Sequence, residues 1–243
     1  MELLKRIMNM PKMRKEVIAR RVKLMEDLRT QYIESGEVVR MHVRLQKGND
    51  KTGANCYTVS LVPILDCGKN CKHCSDYCYD VRNVCWKSSV MRDRARNSAI
   101  HLTDRARYWR EIEEQIFKFC ATEVRLNVGG DLDALDFYYL KKVAEHCPRT
   151  MFLFFTKSIE EINIFLDENN FTDNVKAMLS YDNQMESFEN KHNIPVAYIR
   201  DKDGYTDAPK DAEECNGNCS RCAFVGNGCW YLKKGGSIVF DAH

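Results

Sequence analysis

Two cysteine triplets of identical spacing, Cys67-x3-Cys71-x2-Cys74 and Cys215-x3-Cys219-x2-Cys222, punctuate this chain of 243 residues, and Cys229 follows the second. Three thiolates within eight residues can wrap one soft metal centre, so each triplet demands a loop tight enough for its sulfurs to converge. Structural zinc is commonly held by paired Cys-x2-Cys units and four ligands. The additional Cys three residues ahead of each pair favours an iron–sulfur cluster, for which tight cysteine runs are the usual cradle. The set Cys215, Cys219, Cys222 and Cys229 has four sulfurs and can close a site, so zinc stays open there as the alternative.

The chain carries twelve cysteines. Its first residues contain no continuous apolar stretch of the signal-peptide kind. No run approaches the ~18 apolar residues of a membrane span. We therefore expect a cytoplasmic protein without a membrane partner, in which clustered cysteines are metal ligands before they are disulfides. Net charge is only +2, which excludes a molecule basic all over. Residues 1–30 and 82–110 are nonetheless rich in Lys and Arg, and 201–214 are acidic. Such patches either steer an anionic partner or are solvated helix faces.

Apolar periodicity predicts a helix from Pro11 to about Ser35, with Ile18, Val22, Met25 and Tyr32 on one stripe. Val38–Leu45 alternates as a half-exposed strand. A regular pattern then begins. Strands are expected at Tyr57–Leu65, Val124–Val128, Thr150–Phe155, Val175–Ser180, Ile194–Ile199 and Ser237–Phe240. Between them lie helices at about Ser88–Cys120, Leu132–His146, from Ser158 (a capping box with Glu161) and at about Gln184–Lys191. Alternating strands and helices imply right-handed βαβ units and a parallel sheet. Six units suggest a partial (β/α)6 barrel, with an open doubly wound sheet as the alternative. We place an N-terminal extension over 1–53 and the α/β unit over 54–243, with the cysteine segment 215–229 inserted before the last strand. Ligands gather at the carboxyl ends of parallel strands. By chain order both cysteine clusters and Gly129-Gly130 fall on that rim.

The remaining candidates are weaker. Cys78 and Cys85 trail the first triplet as further ligands or free thiols, and Cys56 is expected to reach the same region. Cys120 and Cys147 read as core thiols. Arg92, Arg94, Arg96, Arg105, Arg107 and Arg110 can face a phosphate-bearing substrate, or pair with Glu111, Glu113 and Glu114.

The segment Cys67-Gly-Lys-Asn-Cys71-Lys-His-Cys74, on the loop after the first strand of an α/β repeat, resembles the signature of radical S-adenosylmethionine (SAM) enzymes. That resemblance implies a partial six-fold α/β barrel. It implies a [4Fe–4S] cluster on Cys67, Cys71 and Cys74, with one iron left for the amino and carboxylate groups of SAM. Asn127-Val-Gly129-Gly130-Asp131 resembles the family's Gly-Gly-Glu element with Asp in place of Glu. Ser180 matches a frequent ribose contact. Gly129, Gly130, Asp131 and Ser180 are then the expected SAM residues. The second cluster resembles the auxiliary iron–sulfur sites of this family, and an electron donor such as flavodoxin or ferredoxin is implied. Across its length the chain also resembles the phage gene product eighty-eight family. That likeness is carried by Asn55–Leu61, Arg94–His101, Asn127–Leu132, Phe154–Lys157, Gly228–Trp230 and Val239–His243; it implies a phage origin and no particular reaction. A nucleic-acid or peptide substrate is the expectation. A metal-stapled module that binds nucleic acid or a host protein without catalysis is the competing one.

Overall fold

The computed structural model describes residues 12–48, 52–53, 55–68, 74–75, 78–83, 87–182, 188–201 and 203–241. Cys71, Cys85 and His243 lie outside these, as do Pro11 and most of the helix expected at 184–191. Among the described residues the elements are α1 (Lys12–Glu34), β1 (Cys56–Val59), α2 (Tyr79–Asn83), α3 (Ser88–Thr103), α4 (Arg105–Phe119), β2 (Glu123–Leu126), α5 (Ala134–His146), β3 (Met151–Thr156), α6 (Ile159–Glu168), β4 (Val175–Ser180), β5 (Val196–Arg200), β6 (Glu213–Glu214), α7 (Cys219–Val225) and β7 (Ser237–Asp241).

The seven strands form one sheet in the order β1-β2-β3-β4-β5-β7-β6. Each pairing between neighbouring strands is parallel. The order follows the chain from β1 to β5 with no reversal, so this is not the doubly wound alternative. Right-handed crossovers taken always in one direction place their helices on a single face. The core agrees with that. Val59, Val124, Leu126, Phe152, Phe154, Val175, Leu179 and Val196 pack with Ala95, Ala99, Trp109, Ile112, Phe137, Leu140, Ile162 and Phe165 of the helices. Alternate residues point the other way. Cys56, Leu153, Met178, Ala197 and Ile238 form a second cluster with Trp230 and the cysteine segment. One sheet face is covered by helices and the other by the second cysteine region.

Four local readings need correction. The long helix expected over Ser88–Cys120 is two helices. The Thr103 hydroxyl bonds back to the Ala99 carbonyl, and the Asp104 carboxylate accepts from Arg107 N–H, capping α4. Val38–Leu45 is not a sheet strand: Glu37–Arg40 is a 3-10 turn and only Gln46 bridges to Thr58. Its alternation is real, with Val43 and Leu45 buried, but helix side chains satisfy its backbone. Val43, Arg44 and Leu45 N–H donate to Glu111, Asn97 and Gln115. Ser158 makes no side-chain cap; the capping box belongs to Asp133 and Asp136, at the start of α5. Cys120 is exposed at a left-handed helix end, whereas Cys147 is buried as expected.

Asp136 also anchors the core. Its buried carboxylate meets His101 Nε2 at 2.9 Å and accepts from Trp109 Nε1 at 2.9 Å. Burial opposes its charge, but His101, Arg105 and Trp109 outweigh that and hold its pKa below the ordinary value. A depressed carboxylate contributes stability that is present above its unfolded pKa of about 4 and is lost as pH falls through the folded value. Asp136→Asn is therefore expected to destabilise the chain at pH 7, with the gap to wild type narrowing below about pH 4. Urea titrations at the two pH values measure it.

Candidate functional site

The loop after β1 is built around Asp66. Its carboxylate accepts from Val62 N–H at 2.7 Å and from Arg29 of α1 at 3.0 Å. Its carbonyl accepts from Asp131 N–H at 2.8 Å. This one residue joins the cysteine loop to the Gly-Gly-Asp loop after β2. Cys67 Sγ accepts from Ile64 N–H at 3.2 Å. Ile64 has φ +73°, a left-handed backbone that a β-branched residue rarely adopts, and such strain persists where surroundings fix it. Burial pushes the Cys78 thiol up to about 12, and negative charge at Asp80, Cys67 and Cys74 adds to the shift. Cys78 thus joins Cys67 and Cys74 in one electrostatic neighbourhood.

Asp80 follows at the start of α2 and forms a buried ion pair with Arg94 of α3 at 2.7 Å. Arg94 also donates to the Leu61 carbonyl at 3.3 Å. The pair lies against Gly129: a Cβ there would sit 2.2 Å from Asp80 Oδ2 and 2.4 Å from Arg94 Nη1. Gly130 has φ +83°, and a Cβ on it would lie 2.8 Å from Leu61 Cβ. The protein itself therefore requires both glycines, whatever ligand approaches them. Gly129→Ala is expected to cost about 1–3 kcal/mol by overpacking, read as a lowered urea midpoint.

Asp131 is not the helix cap; Asp133 is. Its carboxylate accepts from Leu132 N–H and Lys157 N–H, each at 2.8 Å, and so ties the β2 loop to the end of β3. Burial raises its pKa to about 6, against the opposing pull of Lys157 N–H and Thr156. Lys157 Nζ stands 3.4 Å from the Ser180 carbonyl and 3.9 Å from Asp182. Asp131, Thr156, Lys157, Ser180 and Asp182 thus meet at the carboxyl ends of neighbouring strands. Asn127, directly ahead, is buried with φ +47°, and neither atom of its side-chain amide has a hydrogen-bond partner among the described residues.

The second cysteine segment is elsewhere. Ser220 N–H and hydroxyl both bond the Thr52 carbonyl, at 2.8 and 3.0 Å, and Asn55 N–H donates to Ser220 Oγ at 3.3 Å. The segment therefore docks at the entry to β1, on the helix-free face, and not on the carboxyl rim expected from chain order. Cys56 belongs with it, not with the first triplet: burial and then the charge of Cys219 push its thiol up to about 12. Cys229 is raised by burial and by Cys215, Cys219 and Cys222. The Trp230 indole donates to the Cys219 carbonyl at 3.0 Å. Arg125, on the same face of β2, places Nη1 3.6 Å from Cys219 Sγ, stacks over Phe155 and has a buried Nε with no hydrogen-bond partner among the described residues. Its charge is held up chiefly by Cys219, Cys229 and Cys56, against the cost of burial. Among the described residues, no three His, Cys, Asp or Glu side chains are arranged as a group that could hold a metal ion.

The family model described as Gene product 88 matches residues 33–236. The chain belongs to the gene product 88 family. This is a family of phage gene products. No curated protein and no solved structure matches the chain. Among the described residues no helix is long and apolar enough to cross a membrane.

The gene product 88 segment Arg94–His101 gains a physical reading. Arg94 pairs with Asp80, Asn97 bonds the Arg44 backbone and the Ser60 carbonyl, Ser98 accepts from Arg29, and His101 meets Asp136. Four buried polar side chains of one helix tie α1, β1, the cysteine loop and α5 together. Sequence reasoning missed Asp66, Asp80 and Arg125. The alternation Cys56, Thr58 against Tyr57, Val59 was the one available signal, since it places Cys56 away from the helices.

Proposed function

We propose that this chain is a radical SAM-type enzyme in which Cys67, Cys71 and Cys74 hold a [4Fe–4S] cluster and leave one iron for SAM. The observation that carries the reading is the 2.8 Å bond from Asp131 N–H to the Asp66 carbonyl. It joins the loop of the first triplet to the loop that resembles the family's SAM-amino element, beside Ser180 and at the ends of parallel strands. The sequential parallel order supports a partial (β/α)6 barrel. The donor chemistry fits soft metal: Cys67 and Cys74 carry thiols on one loop, with an N–H aimed at Cys67 Sγ. When bound, the cluster supplies the electron that cleaves SAM to methionine and a 5′-deoxyadenosyl radical, which takes hydrogen from the substrate.

The chain's own residues position and screen. Asp131, mostly ionised above about pH 6, accepts from the SAM ammonium. Gly129 and Gly130 hold that loop against Leu61 and Arg94, and Ser180 takes the ribose. Cys215, Cys219, Cys222 and Cys229 would hold a second [4Fe–4S] cluster or zinc once their sulfurs converge on it, and Arg125 would offset its negative charge. A flavodoxin or ferredoxin supplies electrons in the host cytoplasm, and the substrate is a nucleic acid or peptide. The competing reading is a metal-stapled binding protein without catalysis.

The test is anaerobic purification with iron and sulfide analysis, followed by dithionite and SAM. The reading predicts a brown protein that releases 5′-deoxyadenosine. A colourless zinc protein, or a brown one that leaves SAM intact, contradicts it.

A further inference from the structure

A separate feature lies where the extended segment before β1 runs along α3. An open cleft of about 460 Å³ is lined by Arg44, Leu45, Gln46 and Lys47 of the extended segment and by Ser89, Arg92, Asp93 and Arg96 of α3. Four cations face one carboxylate. Both Asp93 oxygens are already engaged, by Gln46 Nε2 at 2.8 Å and by Arg96 Nη1 at 3.3 Å. Arg44, Lys47 and Arg92 are exposed, and their side chains make no hydrogen bond or ion pair among the described residues. α3 opens here with no acidic residue in its first turn and no side-chain cap, so its N-terminal dipole adds to the positive field.

The backbone of the cleft is fixed. Asn97 clamps the Arg44 N–H at 2.7 Å and its carbonyl at 3.2 Å, while Gln46 pairs with Thr58 of β1 in both directions at 2.7 Å. Three unpaired cations held on a rigid floor repel one another, and among the described residues the one carboxylate of the cleft, Asp93, is already engaged by Gln46 and Arg96. An anion offsets them. We propose that this cleft binds the phosphodiester backbone of a nucleic acid. Among the described residues the cleft has no aromatic side chain to sandwich a base and no wall to enclose a nucleotide, which favours a backbone threading past over a small phosphate captured whole. Contacts of this kind position a polyanion and do not read its sequence. The proposal does not depend on the radical SAM reading and holds for a catalyst or a binding protein.

The experiment uses the full chain and a fluorescent single-stranded 20-mer, with anisotropy followed as salt is raised. Three phosphate contacts give a slope of about −2 in log affinity against log salt. The triple variant Arg44→Ala, Lys47→Ala, Arg92→Ala is expected to weaken binding about tenfold or more at low salt and to remove most of that slope. All three side chains are exposed, and an unchanged melting curve shows that the fold is kept. Arg110→Ala, on the exposed face of α4, is expected to bind as wild type does. The proposal is overturned if the triple variant binds like wild type, or if the oligonucleotide does not bind at all. It is also overturned if inorganic phosphate, ATP or polyglutamate displaces the oligonucleotide at equal charge concentration, because the cleft then takes a small phosphate or any polyanion.

Discussion

Arg94→Met is expected to destabilise the protein by about 3–5 kcal/mol, because it removes the guanidinium that pairs with the buried Asp80 carboxylate. The pair is almost wholly shielded, with side-chain exposures of 7% and 4%, so water cannot replace the lost partner. In a domain of this length the loss corresponds to a fall in Tm of roughly 10 °C. The double variant Arg94→Met, Asp80→Asn is expected to recover part of it, since no charge then remains buried. Recovery separates a lost charge pair from a lost shape. A Tm within about 1 °C of wild type for Arg94→Met would mean that the pair does not hold α2 against α3. The same variant tests the link from scaffold to site. Arg94 touches the Leu61 carbonyl and the space beside Gly129, so loosening it frees the cysteine loop and the Gly-Gly-Asp loop together.

Cys67→Ala, on the proposed reading, abolishes release of 5′-deoxyadenosine and removes about half of the bound iron, or nearly all of it where the second site holds zinc, because the first cluster loses a thiolate. The metal-free protein is expected to keep its stability within about 1 kcal/mol, as the side chain is partly exposed and its hydrogen bond among the described residues is the one from the Ile64 N–H. Retained cleavage would assign the chemistry elsewhere. Cys78 is the residue to examine then, since its thiol shares the neighbourhood of Cys67 and Cys74. The variant Cys78→Ala distinguishes the two: it leaves cleavage intact if Cys78 is only a neighbour and abolishes it if Cys78 is a ligand.

Much of the sheet was legible because burial imposes a period. Val175–Ser180 reads directly as a strand, and the alternation of β2 separates the face toward the helices from the face toward the cysteines, whereas β3 is apolar on both. What the sequence concealed were contacts between residues far apart. Nothing local marks Asp66 as the junction of three segments, or Asp80 as the partner of Arg94. The Arg-rich helix read as one uniform feature, yet its arginines divide by environment. Arg94, Arg105 and Arg107 are tied to Asp80, Asp133 and Glu111, while Arg92 is left in the cleft. Residues 41–47 alternate like a strand because one side packs on the core, but their hydrogen bonds go to Asn97, Glu111 and Gln115, which no period reveals. The second cysteine segment was misplaced for a related reason. Chain order locates the end of β5 but does not say that a long connection crosses to the entry of β1, where Ser220 meets Thr52 and Cys56 comes to lie by Cys219. Gly129 and Gly130 were named from the resemblance alone, and that likeness does not reveal that Arg94, Asp80 and Leu61 stand against them.

The central claim is that one iron beside Cys67 lacks a protein partner and takes SAM. Electron paramagnetic resonance of the dithionite-reduced Cys219→Ala, Cys222→Ala variant tests it most directly, since only the first cluster then contributes. The account predicts a [4Fe–4S] signal whose g values shift when SAM is added. A signal indifferent to SAM, or no iron signal and tightly bound zinc, would contradict it.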